Sequence, residues 1–395
     1  MAAIPKLRLL ILCGGDPNSE VVFSGSARAL FQALERRGCV VHKENVLGFS
    51  DPFKKLNFVG KVIQKLDRFR LWENYRLSPL CFSRNTKRAL DVVRSRSDYN
   101  ACLMYGTRFN PTLDVPKYCY LDATAAQLVA ANGWGFAGRS KSNNQKNIDY
   151  QRRVFDSCSG VFPRTQFAAD SVYHDYSISK EKVTVAGAGY NHNKPPLAHQ
   201  SYESKNILFV GVQFERKGGP LILDAFKIVR DKIPEATLTI VGARLDINEP
   251  GVEVVERIYK DESDGLNRIL EFYSKASLFC IMSTLEPFGI VVIEAQNSFV
   301  PCIVPKKFAF TETVSDGITG VHLSNETPEA LAKVMVELLN NPEKLKRMGE
   351  AAHNYVQENW TWDIAAERIE RRILKDLNLD VGVESRVLGN RKSAI

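Results

Sequence analysis

The sequence contains no apolar run of the roughly 18 residues that a membrane-spanning helix needs. Its eight cysteines stand singly, with no Cys-x-x-Cys pair, and its six histidines are dispersed. A disulfide framework and a zinc site are therefore both poorly supported, and we expect a reducing compartment and no metal site. The apolar part of the first twelve residues is too short for a signal peptide and fits a first β-strand better. We therefore expect a cytoplasmic protein.

A chain of 395 residues is too long for one ordinary core, so two domains of roughly 200 residues are expected. The net charge of +8 is unevenly distributed. Residues 1–197 carry 29 Lys and Arg against 16 Asp and Glu, whereas the remainder carries 24 against 29. A basic first half beside an acidic second half indicates that the first half handles an anionic partner.

Strand-like and helix-like segments alternate along both halves, which predicts an α/β fold of two doubly wound, Rossmann-like domains. We place the first domain at 1–192, a polar, Pro-containing linker at 193–204 and the second domain at 205–360. A helix at 361–378 follows, and the polar tail at 379–395 is predicted to be disordered. The polar run at 138–145 predicts an exposed loop.

Residues 52–96 interrupt this alternation with twelve Lys and Arg, three acidic residues and several interleaved aromatic residues. One interpretation is a solvated helical pair with an apolar face on the core. The other is a basic amphipathic surface that contacts an anionic membrane or a lipid-phosphate acceptor. Nucleic acid is not expected as a partner, because no known reader motif accompanies the charge.

Two glutamates belong to one predicted strand–turn–helix unit. The apolar residues 276–282 predict a buried parallel strand, and a Pro-Phe-Gly turn follows. Glu286 then lies at the strand end and Glu294 inside the next helix. The backbone amides of Phe288, Gly289 and Ile290 lie at the helix N-terminus, where an anion is favoured. Carboxylates on both sides of an anion site match a ligand with central phosphates and outer hydroxyls, such as a nucleotide sugar.

A second glycine-containing loop follows an earlier predicted strand. It runs from Gly211 through Arg216 and Lys217, and it permits close approach of a phosphate to the backbone. Between the two loops, Gly242, Arg257 and Ile258 are candidates for contact with a nucleobase.

Two candidates lie in the first domain. Gly25, at the first strand–helix turn, either admits the ligand or serves only tight packing. Asp122, at a strand end, is a candidate catalytic residue or simply the cap of the following helix.

With these motifs the chain resembles a family 4 glycosyltransferase of the GT-B fold, in which two Rossmann-like domains face a cleft. Glu286 to Glu294 matches the Glu-x7-Glu motif of that family, and Gly211 to Lys217 matches its phosphate-binding loop. The resemblance implies that Glu294 binds the ribose, Glu286 holds the transferred sugar, and Lys217 neutralises the diphosphate.

The chain departs from the family pattern in two places. Val212 stands where many members have an Arg, so whether Arg216 supplies that charge is open. Asp122 stands where many members have a His, and a carboxylate cannot act as the same neutral hydrogen-bonding group.

The resemblance implies a retaining transferase that moves a hexose-type sugar from a UDP- or GDP-sugar to a glycan or lipid-linked acceptor. Because the sequence has no Asp-x-Asp triplet and offers cationic side chains, we expect metal independence and no cofactor besides the nucleotide-sugar substrate. The alternatives are a basic module that binds membrane or nucleic acid, and a nucleotide-sugar epimerase on a related fold.

Overall fold

The computed structural model describes residues 6–20, 22–47, 75–133, 136–260 and 262–379. Much of the basic segment 52–96 and all but the first residue of the predicted tail 379–395 lie outside these ranges.

The first domain is built on a five-stranded parallel sheet with the order β2-β1-β3-β4-β5. Its strands are β1 (Leu9–Cys13), β2 (Val40–Asn45), β3 (Ala101–Tyr105), β4 (Lys117–Leu121) and β5 (Gly160–Pro163). The accompanying helices are α1 (Ser26–Arg36), α2 (Pro79–Arg94), α3 (Ala125–Ala130), α4 (Lys141–Ser157) and α5 (Gln166–His174). Strands β1, β3, β4 and β5 are buried along their whole length, as expected for parallel strands covered on both faces.

The second domain contains a six-stranded parallel sheet with the order β11-β10-β9-β6-β7-β8. Its strands are β6 (Asn206–Val210), β7 (Thr237–Val241), β8 (Val252–Val255), β9 (Leu278–Cys280), β10 (Cys302–Pro305) and β11 (Gly320–Leu323). Its helices are α6 (Gly219–Lys232), α7 (Gly265–Lys275), α8 (Ile290–Asn297), α9 (Phe310–Thr313), α10 (Pro328–Leu339) and α11 (Pro342–Asn359). Strand order reverses between β6 and β9. The connections that follow these two strands therefore leave in opposite directions, and a crevice forms between them at the carboxyl ends of the strands.

The last helix, α12 (Trp362–Asp376), packs on α1 of the first domain. Ion pairs from Arg36 to Asp363 and from Arg37 to Glu370 fix the two helices together. Phe288 of the second domain is buried in the same apolar cluster as the first-domain strands. The two domains therefore share one core rather than meeting only at a surface.

The predicted α/β architecture with two doubly wound sheets is confirmed. The predicted loop at 138–145 is wrong in its second half, because α4 begins at Lys141. The Ser140 side chain accepts a hydrogen bond from the backbone N–H of Asn143 at 3.2 Å and caps this helix. Within the described residues, no helix has the length and apolar character to cross a membrane.

Candidate active site

The two predicted ligand loops lie side by side at the reversal of strand order. One follows β6 and the other follows β9, and these strands are neighbours in the sheet. Backbone N–H groups of Met282 and Thr284 donate to the carbonyls of Lys217 and Arg216, at 3.0 and 2.9 Å. The carboxyl ends of parallel strands at such a point are where open α/β sheets bind ligands.

Gly218 explains how the two loops come so close. Its φ is +77°, a left-handed conformation, and a Cβ added there would lie 2.2 Å from the carbonyl oxygen of Met282. A side chain is excluded by both its own backbone angle and the neighbouring loop. The glycine after Lys217 is thus required for the loop contact that orients the lysine.

Lys217 and Glu286 form an ion pair across the two loops, with side-chain exposures of 13% and 10%. The second oxygen of Glu286 accepts from the backbone N–H of Gly289 at 3.2 Å. Gly289 has a φ of +85° and precedes α8 directly. Of the three amides expected to face an anion, that of Gly289 is therefore bound to Glu286 in the free protein. Phe288 and Ile290 also line the cavity between the loops.

Glu294 lies in α8 with a side-chain exposure of 3%, and Lys260 is its ion-pair partner. The hydroxyl of Tyr273 donates to the other carboxylate oxygen at 3.5 Å. Burial raises the pKa of Glu294, but Lys260, His192 and a hydrogen bond from the backbone of Asn191 lower it by more. The net pKa lies below the ordinary value, so Glu294 is a buried carboxylate at neutral pH.

No motif in the sequence pointed to Lys260. The only signal available was its position two residues after Ile258, in a segment already assigned to the nucleobase.

A cavity of about 530 Å³ contains the predicted donor residues of the second domain. Its wall on that side includes the Gly211–Lys217 loop, the Glu286–Glu294 unit and a nucleobase region formed by Gly242, Arg257 and Ile258. Gly242 lies close to the loop, since a Cβ added there would be 3.1 Å from the backbone of Gly211.

Arg216 and Val212 also line the cavity. The guanidinium of Arg216 donates to the carbonyl of Leu285 at 2.6 Å, and Val212 is 55% exposed. A second cationic group thus lies near Lys217, held by the opposite loop.

The first domain contributes the facing wall through Glu20, Phe23, Ser24, Asp122 and Arg164. Gly25 is not part of this wall among the described residues. With a φ of +82°, it lies directly before α1, where an added Cβ would be 3.1 Å from the carbonyl of Glu20. Tight packing of the turn, which places Phe23 and Ser24 on the cavity, is the role that this geometry supports.

Asp122 lies at the carboxyl end of β4 with half of its side chain exposed, 4.0 Å from the buried guanidinium of Arg164. Its carboxylate accepts from the next backbone N–H, at Ala123. Asp122 does not cap α3, because Thr124 does so in a capping box with Gln127. Asp122 is thus available to the cavity, and Arg164, which sequence analysis did not single out, is its neighbouring cation.

With this geometry in place, comparison with known proteins identifies the second domain. The sequence model described as "Glycosyl transferases group 1" matches residues 198–355. These residues, which form most of the second domain, are thus similar to the group 1 glycosyl transferases. This match contains both ligand loops and the nucleobase region, and it confirms the resemblance to a family 4 glycosyltransferase.

Sequence identity to individual curated proteins is low. The chain is 23% identical over 253 residues to a mannosylfructose-phosphate synthase from Agrobacterium fabrum, covering 58% of this chain and 55% of that protein. The alignment thus spans little more than half of that relative. The chain is 21% identical over 392 residues to a D-inositol 3-phosphate glycosyltransferase from Paenarthrobacter aurescens, covering 91% and 89% of the two chains.

A solved structure shows the same fold over both domains. The sucrose-phosphate synthase from Thermosynechococcus elongatus matches with a TM-score of 0.65 and 15% identity, over 95% of this chain and 100% of the other. The expected GT-B arrangement is confirmed by this likeness and by the two sheets of the chain itself.

Proposed function

We propose that this protein is a retaining glycosyltransferase that moves a hexose-type sugar from a UDP- or GDP-sugar to an acceptor bound by the first domain. The observation that carries the proposal is the pair of lysine–glutamate contacts, Lys217–Glu286 and Lys260–Glu294, on one cavity wall at the reversal of strand order. The similarity of residues 198–355 to the group 1 glycosyl transferases and the names of the relatives support the same reaction class.

The charges along this wall match the parts of a nucleotide sugar. The diphosphate lies against Lys217, Arg216 and the N-terminus of α8, where cations and free N–H groups favour an anion. The ribose hydroxyls bind Glu294, and the transferred sugar donates its hydroxyls to Glu286. The base rests near Gly242, Arg257 and Ile258. In the free protein the two lysines neutralise the two carboxylates. When the donor binds, its phosphates and hydroxyls replace these lysine–glutamate contacts.

The reaction breaks the bond between the anomeric carbon and the phosphate oxygen, and the electron pair leaves with the diphosphate. Positive charge develops on the sugar while negative charge grows on the leaving group. Lys217 and the α8 amides stabilise that negative charge from fixed positions. The acceptor oxygen attacks on the face the diphosphate leaves, and its proton passes to the departing phosphate. Lys217 supplies the neutralising charge at this step, so we expect turnover without added divalent cation.

The test is release of nucleoside diphosphate by the purified chain from a panel of UDP- and GDP-sugars. Lys217→Ala should lower kcat by about 100-fold or more, the usual cost of removing one preorganised group at a developing charge. Glu286→Ala should lower kcat/KM comparably, because the transferred sugar loses its charged hydrogen-bond acceptor. Lys227→Ala and Glu329→Ala remove exposed charges of the same domain and should leave turnover unchanged.

Two results would contradict the proposal. Full activity in both Lys217→Ala and Glu286→Ala would show that the site lies elsewhere. Conversion of a donor to its epimer without release of nucleoside diphosphate would identify an epimerase instead of a transferase.

A further inference from the structure

A second cavity opens from the first domain beside the donor cavity. Its volume is about 140 Å³, and its apolar walls include Leu77, Phe82, Phe109, Leu128 and Phe136. We call it the apolar pocket. Phe23 and Asp122 line both the apolar pocket and the donor cavity, so the two spaces adjoin where the transferred sugar meets the first domain.

The size and lining of the apolar pocket limit what fills it. An apolar cavity of about 150 Å³ stays dry and accommodates a benzene ring. The apolar pocket has nearly this volume, and aromatic and aliphatic side chains form most of its lining, together with Thr107, Arg108 and Asp122. A compact apolar group of about one ring is therefore the occupant that matches this volume and most of this lining.

One buried polar atom adds a requirement. Asn147 lines the apolar pocket and is only 4% exposed. Its amide nitrogen donates to the carbonyl of Asn143 at 2.9 Å, but its side-chain oxygen has no hydrogen-bond partner among the described residues. A buried acceptor without a donor is costly and calls for an explanation. A ligand that brings an O–H or N–H group satisfies this oxygen.

We infer that the acceptor is an alcohol carried on a compact apolar ring, with a second hydrogen-bond donor at the far side of the ring. The reacting hydroxyl lies near Asp122, the ring fills the apolar pocket, and the second donor reaches the side-chain oxygen of Asn147. This inference rests on the proposed function, since it assigns the acceptor class for the same reaction.

Three probes separate the parts of this inference: ethanol, benzyl alcohol and 4-hydroxybenzyl alcohol. Each is titrated onto the full chain without donor and followed by ligand-observed NMR. Benzyl alcohol should bind at least about tenfold more tightly than ethanol, because its ring leaves water. 4-Hydroxybenzyl alcohol should bind a further several-fold more tightly, through its phenolic hydroxyl and Asn147.

Two variants test the location. Ala125→Phe places a ring into the apolar pocket from α3 and should abolish the preference for benzyl alcohol. Ala130→Phe makes the same change at an exposed position of that helix and should not alter it. Asn147→Leu should remove only the additional preference for 4-hydroxybenzyl alcohol. The thermal shift produced by the best UDP- or GDP-sugar checks that each variant is folded.

Failure of the inference and failure of the proposed function give different results. If no donor is turned over, the proposed function fails, whatever the probes do. If donors are hydrolysed but ethanol and benzyl alcohol bind equally, or Ala125→Phe has no effect, the apolar pocket is not a ring site. If benzyl alcohol binds there but receives no sugar from a donor that is otherwise hydrolysed, the acceptor assignment is wrong.

Discussion

Lys260 determines the charge state of the residue assigned to the ribose. Replacing it with methionine keeps the apolar stem but removes the ion-pair partner of Glu294. Tyr273, His192 and the backbone of Asn191 remain near the carboxylate. Since burial is the largest single influence on this carboxyl, we expect it to dominate in the variant and to raise the pKa of Glu294 above its unfolded value. We expect Lys260→Met to lose about 2 kcal/mol of unfolding free energy near pH 7, less than the roughly 3–5 kcal/mol for a fully buried pair because Lys260 is partly exposed.

The pH dependence of unfolding distinguishes this explanation from simple loss of packing. In the wild type, the lowered pKa of Glu294 contributes stability that is present above its unfolded pKa and is lost as the pH falls. In Lys260→Met the sign reverses, so this contribution is favourable at low pH and is lost as the pH rises. Urea titrations at several pH values measure both slopes. The double variant with Glu294→Gln should remove the reversed slope, and its persistence would refute the assignment.

Substitution of Gly218 tests whether the site depends on close contact between its two loops or only on the backbone angle of this glycine. Gly317 has nearly the same φ, +76° against +77°, but a Cβ added there meets nothing within 4 Å. Gly317→Ala should therefore cost only conformational strain, about 1 kcal/mol. Gly218→Ala should cost more and should also abolish the donor-induced thermal shift, because the Met282 carbonyl forces the loops apart. Equal losses in the two variants would show that the loop contact is unimportant.

For individual residues, the sequence predicts those site residues that lie in local motifs and misses those that the fold brings in from elsewhere. Lys217, Glu286 and Glu294 lie in local patterns of strand, glycine turn and helix, and the structure places all three on one cavity. Lys260 and Arg164 reach the cavity only through contacts between distant segments. No periodicity or turn chemistry of their own segments reveals such contacts.

Among the secondary-structure elements, α2 forms most of the described part of the basic segment 52–96. Its residues Phe82 and Ala89 face the core, while Lys87 and Arg88 are exposed. If this surface binds anionic membranes, Lys87→Gln with Arg88→Gln should weaken binding to phosphatidylserine vesicles at low salt, measured by co-sedimentation. The loss should reach roughly thirtyfold in affinity, because each basic residue near an anionic surface contributes about 1 kcal/mol.

The chain offers a matched control for this experiment. Lys346 and Arg347 form an equivalent exposed pair on α11 of the second domain. Their replacement by glutamine should leave vesicle binding unchanged. Equal effects of the two double variants would indicate nonspecific charge attraction. Binding that does not depend on the salt concentration would contradict a role of α2 in binding anionic membranes.

The boundaries of the strands are predictable because continuous apolar runs define them. The starts of helices that depend on polar caps are harder to predict. The buried strands follow from continuous apolar runs that end at glycine or polar residues. The polar composition of residues 138–145 predicts a loop, although Ser140 caps a helix within it. The capping box of Thr124 and Gln127 was visible in the sequence, and it would have separated Asp122 from the cap of α3.

At the scale of the whole molecule, polar contacts tie distant segments together, and none follows from local sequence. Asn191, at the end of the first domain, donates to the carbonyl of Ser24 at 2.5 Å and accepts from the indole of Trp362, on α12, at 3.1 Å. The carboxylate of Glu312, on α9 of the second domain, accepts from the backbone N–H groups of Gln166 and Phe167, both at 2.7 Å. These two N–H groups begin α5 of the first domain, so Glu312 caps a helix across the cleft.

This cap should help to hold the two domains together in the free protein. Glu312→Ala removes two hydrogen bonds and a carboxylate at a helix N-terminus, about 1–2 kcal/mol in total. If that energy favours the closed arrangement, an open state becomes more populated and the apparent donor Kd rises by up to about tenfold. The radius of gyration from small-angle X-ray scattering should increase in the free variant and return toward the wild-type value with saturating donor.

Glu329→Ala is the matched control, because Glu329 is an exposed acidic residue in the first turn of α10 and stays within its own domain. It removes a helix-terminal charge of the same sign without touching the first domain, so it should change neither the radius of gyration nor the donor Kd. If Glu312→Ala behaves like Glu329→Ala in both measurements, the cross-domain cap does not control closure. The shared core around Phe288 and α12 would then be sufficient to hold the cleft closed.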